Sequence, residues 1–271
     1  MTNKSIFFLL LWLLPYTAWC QPIDHWEAVV LAEEEWAYRI GDSEPPASWN
    51  QLGFNDDVWN VGEGGFGYDD GDDNTIISPT ISLYLRKEFE IIDTSIISAV
   101  SFYADFDDAF VAYLNGVEIA RSNIGTNGIA PAYNETATTF LEAQLYQGGL
   151  PSQFTVSQEE LDDLWNNGTN TLAIQVHNVG LNSSDFSALF FLIVGINDNS
   201  NSYQPVPDWF IEPFTSSNLP LIFINTGGAD IPDEPKIDAQ MGIIDNGPNE
   251  INSLTDPFTD YNGDIGIEIR G

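Results

Sequence analysis

From Trp26 to about Asn197 the chain alternates short apolar runs with Gly, Asn, Asp and Pro, and that period of two excludes most folds at once. Successive side chains of a strand point to opposite faces of a sheet. An alternating run therefore buries one face, and the turn residues between runs fold the strands back on one another. The pattern predicts an all-β jelly roll or β-sandwich. Trp36, Tyr38 and Ile40 share one face of a first strand, and Ile81, Leu83, Leu85, Phe89 and Ile91 alternate along a longer one. The other face of the longer strand carries Arg86 and Glu88, which predicts a half-buried strand, while Lys87 breaks its apolar face as an edge or a bulge would. Phe110, Ala112 and Leu114 lead through Asn115-Gly116 into Val117 and Ile119. Two residues that tolerate positive φ between alternating runs predict a tight hairpin. Leu172, Ile174 and Val176 alternate again, and the unbroken apolar run Ala188 to Val194 predicts a central strand covered on both faces.

One short helix is expected, because Ser157-Gln158-Glu159-Glu160 forms a capping box, Leu161, Leu164 and Trp165 follow at helical spacing, and Asn167-Gly168 ends the run. No repeating unit is visible, which excludes a solenoid or propeller.

Charge narrows the partners. The chain holds 41 Asp+Glu against 7 Lys+Arg, a net charge of −34, so no basic face exists to track nucleic acid or an anionic membrane. With 43% hydrophobic and 13% aromatic residues it is not a disordered acidic tail either. Residues 1–20 have the form of a secretory signal peptide: Lys4, the apolar run Ile6 to Leu14, and Ala18-Trp19-Cys20 before Gln21. The run is too short to span a bilayer. A lipid anchor at Cys20 would call for a small residue before it, and Trp19 stands there instead. A secreted or cell-surface location, extracellular or periplasmic, is expected. Because Cys20 is the single cysteine, the folded part must hold together without disulfides, through a substantial core or a bound metal.

The sandwich is expected over 21–198, followed by a linker over 199–218, rich in Asn, Asp, Ser and Pro. Over 219–271 strands are expected at Leu219 to Ile224 and Gly266 to Ile269, with a polar stretch between them. Roughly fifty residues with so few apolar positions make no independent core, which suggests an incomplete second domain and a chain that is a fragment.

Two acidic clusters could carry chemistry: Asp69, Asp70, Asp72 and Asp73 in one loop, and Asp105, Asp107 and Asp108 in another stretch. Crowded carboxylates repel, and Ca²⁺ with oxygen ligands would relieve that while stapling loops; a solvated acidic turn is the alternative. Phe66 and Tyr68 flank Gly67 beside the first cluster and are candidates to stack on a sugar, whereas Trp36, Trp49 and Trp59 are expected in the core. His177 falls on the face opposite Leu172, Ile174 and Val176 and is expected to be structural. His25 is the only other histidine, so no zinc site of histidines and cysteines can be built, and no G-x-S-x-G, Walker A or H-E-x-x-H pattern occurs. Asp230, Asp233, Glu234, Asp238 and Asp245 are expected to be loop polar groups rather than ligands.

Two resemblances arise from longer stretches. Trp36-Ala37-Tyr38, Phe54-Asn55-Asp56-Asp57-Val58-Trp59, Gly65-Phe66-Gly67-Tyr68, Leu85-Arg86-Lys87-Glu88-Phe89, Ala112 to Arg121 and Leu172 to His177 resemble a galactose-binding-like jelly roll of secreted bacterial proteins. That resemblance implies the fold and, weakly, sugar binding, because the same fold hosts many ligands. Leu219 to Thr226, Ile231 to Ile237, Met241 to Gly247 and Gly266 to Gly271 resemble the opening of the spore-coat CotH kinase-like family. The second resemblance implies a parent related to atypical protein kinases that act on secreted proteins. Nucleotide- and metal-binding residues of that family would lie beyond Gly271, so no phosphotransferase activity is expected from this chain. Together the two imply an accessory module that targets an extracellular glycan or cell-surface component, with a protein as substrate of the complete parent. A Ca²⁺-dependent carbohydrate-binding module with a purely structural partner domain is the competing reading.

Overall fold

The computed structural model describes residues 23–269, apart from 70, 72, 157–163, 215 and 255. The signal-peptide stretch and the capping box at Ser157 to Glu160 lie outside the described residues. Among the described residues no helix is long and apolar enough to cross a membrane.

The chain divides into two compact units, the first ending at Phe210. In the first unit the strands are β1 (His25–Val30), β2 (Glu35–Ile40), β3 (Asn60–Glu63), β4 (Phe66–Tyr68), β5 (Thr75–Ile76), β6 (Ser82–Ile91) and β7 (Ile97–Asp107). They continue as β8 (Ala109–Leu114), β9 (Val117–Ser122), β10 (Ser152–Val156), β11 (Gly168–His177), β12 (Phe186–Ile196) and β13 (Gln204–Pro205). These form two sheets. The first runs β10-β7-β12-β1-β13, with β4 on the far end of β12 and β5 parallel to β4; the second runs β3-β2-β6-β11-β8-β9. The unit is an all-β sandwich, as the alternation predicts.

The core lies where the inner faces meet. Leu83, Leu85, Phe110, Ala112, Leu172, Ile174 and Val176 from one sheet face Phe102, Phe106, Phe190, Leu192 and Val194 from the other. Phe102 stacks on Phe190 with centroids 5.9 Å apart, and Phe106 meets Phe110 edge-on at 4.6 Å. Such ring pairs add to the area they bury, the first within one sheet and the second between the two. The Asn115-Gly116 hairpin is present, with φ of 50° and 92° at its two turn residues. Asn115 Oδ1 also accepts the Thr171 N–H at 2.8 Å, tying the turn to β11.

Both outer faces are covered as well, and this changes two expectations. Trp49, Tyr84, Val111, Tyr113 and Ile124 form a second apolar cluster over the outer face of the β6 sheet, so β6 is buried on both sides over Ser82 to Arg86 and half-buried, as expected, only beyond it, where Glu88 and Glu90 are exposed. Arg86 is inside this layer, 1% exposed. Its Nε donates to Asp56 Oδ2 at 2.8 Å, and its Nη1 donates to the carbonyls of Trp49 and Gln51. No bulge occurs at Lys87, since the β6–β11 register runs unbroken from Gly168↔Ile91 to His177↔Ser82, but the pairing of β6 with β2 stops at Arg86, so Lys87 does mark the start of an edge on that side. The Lys87 ammonium pairs with Glu34 at 2.7 Å and donates to the Glu35 carbonyl.

Over the outer face of the β7 sheet, Trp26, Tyr103, Phe191 and Ile193 pack with Val206, Trp209 and Phe210. The stretch expected to be a linker is therefore, up to Phe210, a strap on the sandwich. Glu27, 4% exposed, accepts the N–H groups of Ser202 and Tyr203, and β13 pairs with β1. Trp209 lies 5.1 Å from Tyr103 and 4.9 Å from Phe191, ring to ring.

The second unit holds β14 (Ser216–Ser217), β15 (Leu221–Asn225), β16 (Ile237–Ile244), β17 (Asn252–Ser253) and β18 (Tyr261–Ile267). β15, β16 and β18 make a three-stranded antiparallel sheet, and β14 pairs with β17. The middle strand β16 lies inside the polar stretch where none was expected. Leu221, Ala239 and Ile244 are the buried apolar residues among those described there, which agrees with the small core anticipated from composition.

Candidate metal centre

β7 alternates between the core and the outer face. Phe102, Ala104 and Phe106 enter the core, which sends Asp105 and Asp107 outward. Both are nonetheless buried, at 2% and 4% exposed, and Asp108 is at 1%, because the segment around 138–147 lies over them. Asp105 accepts the Gln144 N–H at 2.7 Å and the Leu145 N–H at 2.9 Å, at the start of the 3₁₀ turn Leu145–Gln147. Unpaired N–H groups at the start of such a turn favour a carboxylate. Asp108 accepts the Leu141 N–H at 2.8 Å and the Val179 N–H at 2.7 Å. Asp105 and Asp108 therefore anchor backbone, and they stand outside the one compact acidic group among the described residues.

The two anchors hold Glu142 between Leu141 and Gln144, beside Asp107. Across the sheet, Asp107 pairs with Ser187, and Asp185 precedes Ser187 by two positions, just beyond the start of β12. Asp107, Glu142 and Asp185 each bring a carboxylate oxygen to within 4.8 Å of the others. Oxygens so spaced fit around an ion about 2.4 Å from each, a Ca²⁺ distance. Ser187 Oγ, in a residue fully buried directly opposite Asp107, has no hydrogen-bond partner. A buried orphan hydroxyl beside a carboxylate cluster is an oxygen donor in want of a positive partner.

Burial first, and then the charges of Asp108, Asp185 and Glu142, push the Asp107 carboxyl up to about 9. Each neighbouring charge that moves it is negative. Either a proton or a cation must neutralise it near pH 7.

The remaining candidates separate. Asp69 is exposed at the end of β4, and Asp73 is half-buried in the same loop, with Oδ1 beside Gly67. Asp70 and Asp72 lie outside the described residues. Phe66 and Tyr68 do not form a ligand-stacking loop: they constitute β4, are 1% and 5% exposed, and pack into the core. Gly67 between them lets β4 close on β12, since a Cβ there would fall 1.9 Å from the Phe186 carbonyl oxygen. Phe66 packs on Tyr38 at 5.1 Å, and Tyr68 stacks on Phe186 at 6.2 Å with its hydroxyl accepting from Asn178 Nδ2. Burial, and then Asp107, raise the Tyr68 phenol. Among the described residues, none of the second-unit acids joins a group compact enough to hold an ion.

Sequence reasoning missed Glu142, Asp185 and Ser187. One signal was available: Asp107 ends one long apolar run and Asp185 immediately precedes another. Acids at the ends of two core strands can meet at one corner of a sandwich.

His177 is structural, as expected. It is fully buried, and its Nδ1 donates to the Glu135 carbonyl at 2.7 Å. Burial pulls its imidazole down to about 4. The unfolded chain then binds a proton that the folded chain refuses, so this residue's contribution to stability is complete above about pH 6.5 and is lost as pH falls toward 4. Chemical unfolding should show a slope on the order of 1.4 kcal/mol per pH unit in that window that is absent in His177→Gln. Equal acid slopes for the two proteins would contradict it.

No protein-family model matches the chain, and no curated protein matches it. Solved structures similar to it include a calcium-binding mutant of Bacteroides uniformis beta-glucuronidase 2, at 13% identity and a TM-score of 0.40, covering 81% of this chain and 22% of that one. A glycosyl hydrolase family 2 member from Bacteroides cellulosilyticus DSM 14838 matches at 15% and 0.39, covering 79% and 24%. Ruminococcus gnavus beta-glucuronidase matches at 10% and 0.38, covering 90% and 45%. The chain thus spans less than half the length of each, and at these values no residue of theirs is carried over to it.

Proposed function

We propose that the sandwich is a calcium-stapled accessory module of a secreted protein, which directs its parent to an extracellular glycan or cell-surface component. The observation that carries the calcium part is Asp107: a buried carboxylate facing Glu142 and Asp185, opposite the orphan hydroxyl of Ser187. Hard oxygen donors of this kind suit Ca²⁺, with backbone carbonyls or water completing its six to eight ligands. A bound ion would join the end of β7, the 138–147 segment and the turn before β12, in a chain whose one cysteine is Cys20. The signal-like residues 1–20 support secretion. For the second unit we favour the truncated start of a CotH kinase-like domain, on the strength of the sequence stretches Leu219 to Thr226, Met241 to Gly247 and Gly266 to Gly271.

An ion bound only by the folded state raises stability by mass action, by about 2.7 kcal/mol at a hundredfold excess over Kd. Thermal melting of the whole chain in chelator and in CaCl₂, at constant ionic strength, should show a higher Tm with Ca²⁺ and a smaller effect from Mg²⁺. A melting curve indifferent to Ca²⁺ would remove the staple.

A further inference from the structure

A cleft of about 330 Å³ opens on the second sheet, between β2 and the loop leading into β3. Its walls are Tyr38 and Arg39 on one side and Phe54, Asn55, Trp59 and Asn60 on the other, with Val58 at the rim, 90% exposed. Neither the acidic centre nor the core accounts for it.

The wall is rigid. Buried Arg86 fastens the loop at three points, the Trp49 and Gln51 carbonyls and the Asp56 carboxylate. Its guanidinium lies 5.2 Å from the Phe54 ring centre. Trp59 stacks on buried Trp49 at 6.3 Å, meets Phe54 edge-on at 5.9 Å, and remains half-buried along the cleft. Within the loop, the Asp57 N–H donates to Asn55 Oδ1 and the Trp59 N–H donates to the Asp56 carbonyl. The aromatic surface is thus ordered before any ligand arrives, which lowers the entropic cost of binding.

We infer that this cleft binds a neutral sugar unit, a reading that rests on the proposed role of the sandwich as a glycan-targeting module. A pyranose has apolar C–H faces and a rim of hydroxyls. Aromatic walls complement the faces, and the planar amide of Asn60 with the remaining N–H groups of Asn55 and Arg39 supplies donors and acceptors at the rim, the Asn55 amide being otherwise engaged by Asp57. Neutrality follows from charge. Arg39 is already engaged by Asp42 at 3.2 Å and Ser43 at 2.6 Å, and the whole chain carries −34, which repels uronate or sulfated glycans.

The test uses the whole chain, a panel of neutral gluco- and galacto-configured oligosaccharides, and a polyuronate for contrast, measured by calorimetry. Saturable binding of a neutral oligosaccharide is expected, weakened about five- to tenfold in Asn60→Ala and blocked in Val58→Glu. Both residues are exposed, so melting curves should match the parent protein. Trp59→Ala should abolish binding, and the two surface variants keep the result interpretable if it fails to fold. Binding of neutral sugar untouched by either surface variant would overturn this site while leaving the module's glycan role in place. Preference for the polyuronate would overturn the neutral class, and no binding of any probe would overturn site and glycan role together, with the calcium staple judged separately by melting.

Discussion

Arg86→Ala is expected to lower the free energy of unfolding by about 3–5 kcal/mol, the usual cost of removing one member of a buried charged network. The side chain is sealed under the 46–60 loop, and two backbone carbonyls and the Asp56 carboxylate depend on it. Without the guanidinium the buried Trp49 carbonyl is left unpaired in an apolar layer, the more exposed Asp56 carboxylate and Gln51 carbonyl lose their tie to β6, and Phe54 loses the cation above its ring. Arg86→Lys should recover only part of the loss, since one ammonium cannot reach three acceptors in the plane that the fork spans. Urea unfolding at constant m-value would measure the change, and near-UV circular dichroism would report whether the Trp49–Trp59 stack survives. A loss below about 1 kcal/mol would mean that the loop is held by its own contacts.

Asp107→Asn should remove the alkaline loss of stability of the metal-free protein. In the folded chain the Asp107 carboxyl is raised to about 9, by burial first and its acidic neighbours second, while in the unfolded chain it titrates as an ordinary carboxylate. The folded state therefore holds a proton that the unfolded state has released. The stability this group contributes is complete below about pH 4 and is lost as pH climbs through 9. In chelator the wild-type Tm should fall from pH 5 to pH 9, while Asp107→Asn, which cannot ionise, should lose that slope and be the more stable protein at the alkaline end. Adding Ca²⁺ should reverse the order, because the carboxylate then has a cation to face and the amide is a poorer ligand. Calcium binding should also release a proton and strengthen with pH over the same window. Parallel pH profiles for the two proteins, with and without Ca²⁺, would show that Asp107 is neither buried enough nor crowded enough to matter.

The sequence was legible where structure is local. Asn115-Gly116 sets its hairpin by backbone preference alone, and Ala188 to Val194 needs no partner to announce that both its faces are covered. It misled where a second layer intervenes. Arg86 looks like the wet face of a strand, because nothing nearby in the chain says that Trp49 and Trp59 will fold over it. Phe66 and Tyr68 look like loop aromatics because Gly67 between them suggests a turn, when it serves the close approach of β4 to β12. The metal centre was half legible. Asp107 belongs to a visible cluster, but Glu142 and Asp185 reach it only through the 138–147 segment and the β7–β12 register, neither of which is written in local spacing.

Trp209 and Phe210 also set where this module can be cut from its neighbours. By composition the natural place to divide the chain is near Asn197, where β12 ends and polar residues begin. Severing it there would remove β13 from the outer edge of β1 and uncover Trp26, Tyr103 and Phe191, leaving a sticky sheet face on an otherwise charged particle. The portable piece, the one that could be grafted onto another protein with its surface intact, closes at Phe210.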